Sequence, residues 1–148
     1  MRSFSGLLII LLSANIAFAQ TAYHKMGQKA LIDGDFKAAV SNLEKALAKD
    51  SNDVNTLYML GYSYYHSSRY KESVNTFNKV IALKPSDNSA YYYRGKASNI
   101  MANDTKGIAN ADREKLLLSS IKDFSKAIDL NADDVKLYQN RAVAYRDY

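Results

Sequence analysis

Residues 58–70 read Tyr-Met-Leu-Gly-Tyr-Ser-Tyr-Tyr-His-Ser-Ser-Arg-Tyr and hold five tyrosines. Phenol rings offer a stacking surface and hydroxyls that both donate and accept hydrogen bonds. Groups suited to covalent or acid–base chemistry are thinly spread elsewhere. His24 and His66 lie far apart in the chain, with no HExxH pair and no calcium-loop spacing around them. No metal site is expected. The pairs Asp33/Asp35 and Asp133/Asp134 fall where helices should begin or end, and there they read as capping groups rather than as an acid–base couple. A phosphate-cradling glycine loop and a GxSxG elbow are both missing. These patterns point to a non-enzyme without a cofactor and leave the tyrosines as the candidates for function.

Composition sets the frame in which those rings must be held. The 148 residues contain 24% charged and 47% hydrophobic residues, no cysteine, one proline and six glycines, which suits one helical domain. The net charge is +5, with basic residues interleaved among acids and no long run of one sign. A nucleic-acid partner is not expected, because that footprint needs a clustered basic face. Residues 1–19 stand apart: Arg2 gives a basic start, Gly6 to Ala14 are almost wholly apolar, and Ala17-Phe18-Ala19 supplies small residues for a cleavage site. The pattern predicts a signal peptide removed after Ala19 and a mature chain that begins at Gln20. The apolar run is too short for a spanning helix, so no stable membrane span is expected after cleavage. The expected location is outside the cytoplasm, periplasmic or secreted.

Periodicity accounts for the glycine among the tyrosines. Gly27, Gly61 and Gly95 stand 34 residues apart, with Tyr23, Leu57 and Tyr91 four places before them. Asn42–Leu47 and Asp123–Ile128 are copies of one pattern. A 34-residue unit of this layout resembles the tetratricopeptide repeat, a helix–turn–helix building block of solenoids. The resemblance covers 20–148, as units 20–53, 54–87 and 88–134 followed by a half unit at 135–148. A large residue holds the fourth place (Tyr23, Leu57, Tyr91, Tyr138) and a small one the eighth (Gly27, Gly61, Gly95, Ala142). Small residues recur at the twentieth (Ala39, Ser73, Ser120) and bulky ones at the twenty-fourth (Leu43, Phe77, Phe124). The seventh place departs from the usual leucine at Arg94 and Arg141, and Asp123 is the expected partner of Arg94, with Arg141 in competition.

The resemblance implies an all-α, right-handed superhelical solenoid of antiparallel helix pairs. Helices are expected near 22–33, 36–49, 54–67, 70–83, 88–101, 113–130 and 134–147, with N-caps at Asp53, Asp87 and Asp133. The third unit should carry an inserted loop near 102–112. The eighth-place glycines should face Ala39, Ser73 and Ser120. The last helix should bury Tyr138, Ala142 and Tyr145.

The resemblance also implies a ligand: such solenoids bind a protein or peptide segment on the concave face lined by their first helices. The places that look into that groove hold His24 and Gln28 in the first unit and Asn55, Tyr58, Tyr62, Tyr65 and His66 in the second. In the third they hold Tyr92, Lys96 and Asn99. A tyrosine stripe at helical spacing serves either packing or binding, and the register divides it. Tyr64 and Tyr70 fall on packing places, Tyr58, Tyr62 and Tyr65 on the groove. The lysine and asparagine clamp with which some of these domains grip a terminal carboxylate is not matched. His24, Gln28, Met59, Ser89 and Tyr93 occupy its places. The resulting expectation is a non-catalytic binding scaffold, or alternatively an assembly component of an envelope complex or a piece of a larger repeat protein.

Overall fold

The computed structural model describes residues 21–48, 51–104 and 109–148. The expected signal peptide, its cleavage point and Gln20 lie outside the described residues. Among the described residues seven helices follow in order: α1 (21–32), α2 (Phe36–Ala46), α3 (Val54–His66), α4 (Tyr70–Leu83), α5 (Asn88–Asn103), α6 (Asn110–Leu130) and α7 (Val135–Asp147). No strand occurs among the described residues.

Local chemistry sets most helix ends. Gly34 adopts φ +75 in the turn between α1 and α2, a conformation that costs glycine nothing. Asp35 accepts from Ala38 N at 2.9 Å, Asp53 from Asn55 N at 3.2 Å and Asp87 from Ala90 N at 3.0 Å, each satisfying an amide that the first helical turn leaves unpaired. Before α7 the cap is Asp134, which accepts from Lys136 N at 2.9 Å, and not the expected Asp133. Lys84 is extended (φ −137, ψ 80), as a residue before proline prefers, and α4 stops there. The inserted segment is shorter than 102–112, because α5 runs on to Asn103 and α6 begins at Asn110.

Antiparallel pairs α1/α2, α3/α4 and α5/α6 stack side by side, and α7 adds a last first-type helix. The backbones of the first-type helices α3, α5 and α7 approach one another in sequence, whereas those of α4 and α6 stay farther apart. The first-type helices therefore make the tighter inner layer and the second-type helices splay outside it. This curvature puts the tyrosine-bearing faces of α3 and α5 on the inside.

Each pair closes through a small residue beneath a bulky one. A Cβ at Gly27 would lie 2.6 Å from the Leu43 side chain, at Gly61 3.0 Å from the Phe77 ring and at Gly95 3.1 Å from the Phe124 ring. The nearest atoms are thus the bulky residues one turn beyond Ala39, Ser73 and Ser120. Helical side chains lean toward the N-terminus, so Leu43, Phe77 and Phe124 reach back over the glycines. The small residues still matter: Ser73 Oγ donates to the Gly61 carbonyl at 2.9 Å. Arg94 and Asp123 pair as expected, Nη2 to Oδ1 at 2.6 Å and Nε to Oδ2 at 2.8 Å, and Arg94 Nη1 also donates to Asn78 Oδ1 at 2.7 Å. Burial pushes the Asp123 carboxyl above its ordinary value against the pull of the guanidinium. Arg141 does not compete: it lies over the Tyr138 ring and reaches Ser125 Oγ at 3.3 Å.

The expectation for α7 is corrected. Its buried residues are Leu137 and Ala144, while Tyr138 is 41% and Tyr145 58% exposed. Leu137 packs with Ala127 and Ile128 of α6, and Ala144 with Ile121 and Phe124. Equivalent positions explain this. On α3 Leu57 and Gly61 meet their own second helix at Phe77, whereas Tyr64 packs back on α1 and α2 and donates to Glu44. Ala90 on α5 instead packs back on Phe77 and Val80 of the preceding pair. Tyr138 and Ala142 belong to the face of Leu57 and Gly61, and no described helix covers it; Tyr145, equivalent to Tyr64, stays exposed as well.

Candidate binding groove

Two adjoining parts make up the inner face. The first is a polar recess of about 410 Å³ between α1, α3 and the start of α5, lined by His24, Gln28, Asn55, Tyr58, Asp87 and Ser89 among others. His24 is held by a short relay. Thr56 Oγ1 donates to Asp53 Oδ2 at 2.5 Å, so it accepts from His24 Nδ1, 2.6 Å away. The relay ties α1 to the cap of α3 and leaves the other edge of the imidazole for the recess. Thr56 is only 1% exposed, which makes this a positioning device rather than a nucleophile. Gln28 and Asn55 are exposed amides, suited to the donors and acceptors of an extended backbone.

The second part is an aromatic bed centred on Tyr93. Its ring lies 5.1 Å from Tyr62, 5.4 Å from Tyr65, 5.1 Å from Tyr92 and 5.9 Å from Phe77, centroid to centroid. Most of these pairs are edge-to-face, the arrangement the ring quadrupoles favour. His66 stacks on Phe36 of α2 at 4.7 Å and tilts against Tyr62 at 4.3 Å. Tyr58 joins the bed to the recess: it meets Phe77 and Tyr93, at 5.7 and 6.5 Å, and also lines the recess. Burial raises the Tyr58 phenol above 10.0, and burial together with the neighbouring phenols raises that of Tyr93. Burial and nearby Lys96 lower the His66 imidazole below 6.5.

Nine of the ten sequence-selected residues therefore fall into the two parts: His24, Gln28, Asn55 and Tyr58 in the recess, Tyr62, Tyr65, His66, Tyr92 and Lys96 in the bed. Asn99 is held elsewhere. Its Oδ1 accepts from Asn103 at 3.2 Å, and Asn103 in turn donates to Asp147 Oδ2 of α7 at 2.9 Å. Tyr93, the hub, was assigned to a clamp place, and Phe36 and Phe77 were not selected for the site. The run Tyr91-Tyr92-Tyr93 was the available signal. Three consecutive helical residues cannot all face their own partner helix, and Tyr91 already does. Tyr64 packs as expected: it is 7% exposed, its hydroxyl donates to Glu44, and Arg69 covers its ring. Among the described residues no cluster of three metal-ligating side chains occurs, and no helix is long and apolar enough to cross a membrane.

A family model of the tetratricopeptide repeat matches residues 30–97. Over that stretch the chain is similar to the tetratricopeptide repeat. Solved structures share the repeat fold. One is the first tetratricopeptide domain of Spaghetti (RPAP3) bound to an HSP90 peptide, with a TM-score of 0.70 at 15% identity over 88% of this chain and 93% of that one. Another is the Arabidopsis OM64 tetratricopeptide domain, with a TM-score of 0.71 at 14% identity over 88% and 98%. A third is MamA, with a TM-score of 0.74 at 20% identity over 92% of this chain and 71% of that one. At these identities the likeness is one of fold. No curated protein matches this chain.

Proposed function

We propose that the chain is a non-catalytic scaffold that binds an extended protein or peptide segment along the inner face, and that it works outside the cytoplasm. The observation that carries this reading is the continuity of the polar recess and the Tyr93-centred bed through Tyr58. Amide side chains for a backbone thus adjoin rings for side chains. Tyrosine suits such a role because it gives a large contact area with few torsions to freeze. The fold neighbour RPAP3 has a peptide bound to its own tetratricopeptide domain, which supports peptide binding as a use of this architecture. Export rests on the basic start, apolar run and Ala17-Phe18-Ala19 of the sequence.

The test is selection from a displayed peptide library with the chain from Gln20 onward. Enriched peptides should bind the parent and lose about tenfold or more in a Tyr58→Ala/Tyr62→Ala/Tyr65→Ala variant whose helical circular dichroism is intact. Enrichment that survives the triple substitution would place the ligand elsewhere and overturn the groove reading. N-terminal sequencing of the protein recovered from outside the cytoplasm should begin at Gln20, allowing for cyclised glutamine.

A second reading, an assembly role, is favoured by the bare α7 face with its exposed Tyr138 and Tyr145. Sedimentation should then show association that a Tyr138→Ser/Tyr145→Ser variant loses. A strictly monomeric parent would remove self-assembly from this reading.

A further inference from the structure

Lys96 is the cation of the aromatic bed, and no carboxylate among the described residues pairs with it. Its Nζ stands 5.2 Å from the Tyr65 ring centroid and 5.3 Å from that of Tyr92, so it is straddled by one ring from α3 and one from α5. The acids nearest the groove are committed elsewhere. Asp53 takes Thr56 Oγ1 and Asn55 N, and Asp87 takes Ala90 N at 3.0 Å and Lys84 Nζ at 3.0 Å.

The ammonium is held by the ring faces, whose negative quadrupoles attract it. An ammonium only donates, and a phenol can donate as well as accept. Neither phenol donates to a carboxylate or carbonyl among the described residues. Burial alone would lower the Lys96 pKa; the two phenols outweigh it, and the ammonium stays charged. A charged ammonium and the two phenols beside it therefore share one spot, and an acceptor carrying negative charge is what they lack.

We propose that Lys96, Tyr65 and Tyr92 form a pocket for the side-chain carboxylate of an aspartate or glutamate within the bound peptide. The proposal rests on the groove reading above and adds the chemistry of its ligand. A side chain is assigned, rather than a peptide's terminal carboxylate, because Lys96 stands partway along the inner face. The His24–Asn55 recess lies to one side and α7 beyond α5 on the other. A ligand chain there passes through and does not stop.

The probe is a set of N-acetylated, C-amidated nonapeptide pools, randomised at eight positions with the centre fixed as Glu, Gln or Lys. The chain from Gln20 onward should retain the Glu pool about tenfold over the Gln pool, the scale of one charge-assisted hydrogen-bond set. Raised salt should shrink the ratio. Lys96→Met keeps the stem over the rings and should bring the ratio to one. Tyr65→Phe/Tyr92→Phe keeps the rings and should lower it several-fold. Equal retention of the Glu and Gln pools by the parent, or an undiminished ratio in Lys96→Met, overturns the proposal. So does retention of a matched Glu pool with a free C-terminal carboxylate when the amidated Glu pool is not retained. If library-selected peptides still depend on Tyr58, Tyr62 and Tyr65 while the Glu and Gln pools bind alike, the carboxylate pocket alone falls. If selection also fails, the groove reading falls with it.

Discussion

The same face occurs on α5 and on α7, covered in one case and bare in the other. On α5, Tyr91 is 9% exposed and Gly95 lies under the Phe124 ring, with Ser98 buried beside them. On α7 the equivalent places hold Tyr138 at 41% exposure, Ala142 and Tyr145 at 58%. The residue types are alike, a large one at the fourth place and a small one at the eighth. Burial therefore depends less on what the first helix carries than on whether a second helix returns over it. A first helix has two apolar faces with separate duties. One packs back on the preceding pair and is satisfied on both helices, by Ala90 and by Leu137. The other is satisfied only by the helix that follows.

If that contrast is right, equivalent substitutions should have unequal costs. The largest effect should come from Asp123→Ala, which strands the Arg94 guanidinium inside the α5/α6 pair. A loss of about 3 kcal/mol is expected, at the low end for a broken buried pair because Asn78 still accepts from Arg94. Arg141→Ala, its counterpart on α7, should cost less than about 1 kcal/mol, the worth of an exposed cation–ring contact. Urea unfolding midpoints at constant m compare the two; equal costs would erase the distinction.

Next in size, Gly95→Leu should destabilise by about 1–3 kcal/mol, because even its Cβ would press on Phe124 and Asp123. Ala142→Leu on the bare face should change stability by no more than about 0.5 kcal/mol. Should Ala142→Leu prove as costly as Gly95→Leu, something outside the described residues covers α7.

The smallest effect concerns pH and the groove. The folded state holds the His66 imidazole below 6.5, by burial and by Lys96. The folded form thus binds that proton less readily than the unfolded chain. Its contribution is complete above pH 6.5 and is lost as the pH falls through 6.5 toward the lower folded value. His66→Phe should keep the stack on Phe36 and flatten that part of the curve of unfolding midpoint against pH. An unchanged slope in the variant would mean that another group is responsible.

Much of the fold was legible because it is written several times. The glycine register at Gly27, Gly61 and Gly95 placed the first six helices, and Asp53 and Asp87 marked two of their starts by the one chemistry available to a free amide. Where a signal stood alone, it misled. Asn110, Ala111 and Asp112 read as loop by composition, yet an acid in the first turn also suits the positive end of a helix, and α6 begins there. Asp133 and Asp134 offered the same cap one residue apart, and sequence could not choose between them. The groove residues followed from the register, but the hub did not. Tyr91, Tyr92 and Tyr93 point in three directions about 100° apart on a helix. Only the seating of α5 against Phe77 decides that Tyr93 turns inward.

Among α2 to α7, every helix contact joins neighbours one or two steps apart along the chain. Among these helices α2 does not reach α6 or α7. Mechanically such an array is a short spring, each coil held only by the next. Thermal opening should then run inward from the α7 end, where one coil has a single wall. Amide exchange should be fastest in α7, slower in α6 and α5, and slowest at α3 and α4, which have pairs on both sides. The tyrosine bed straddles α3 and α5, so the stiffest amides of the array should lie under its ligand platform, and the fraying end should be free to move without disturbing it.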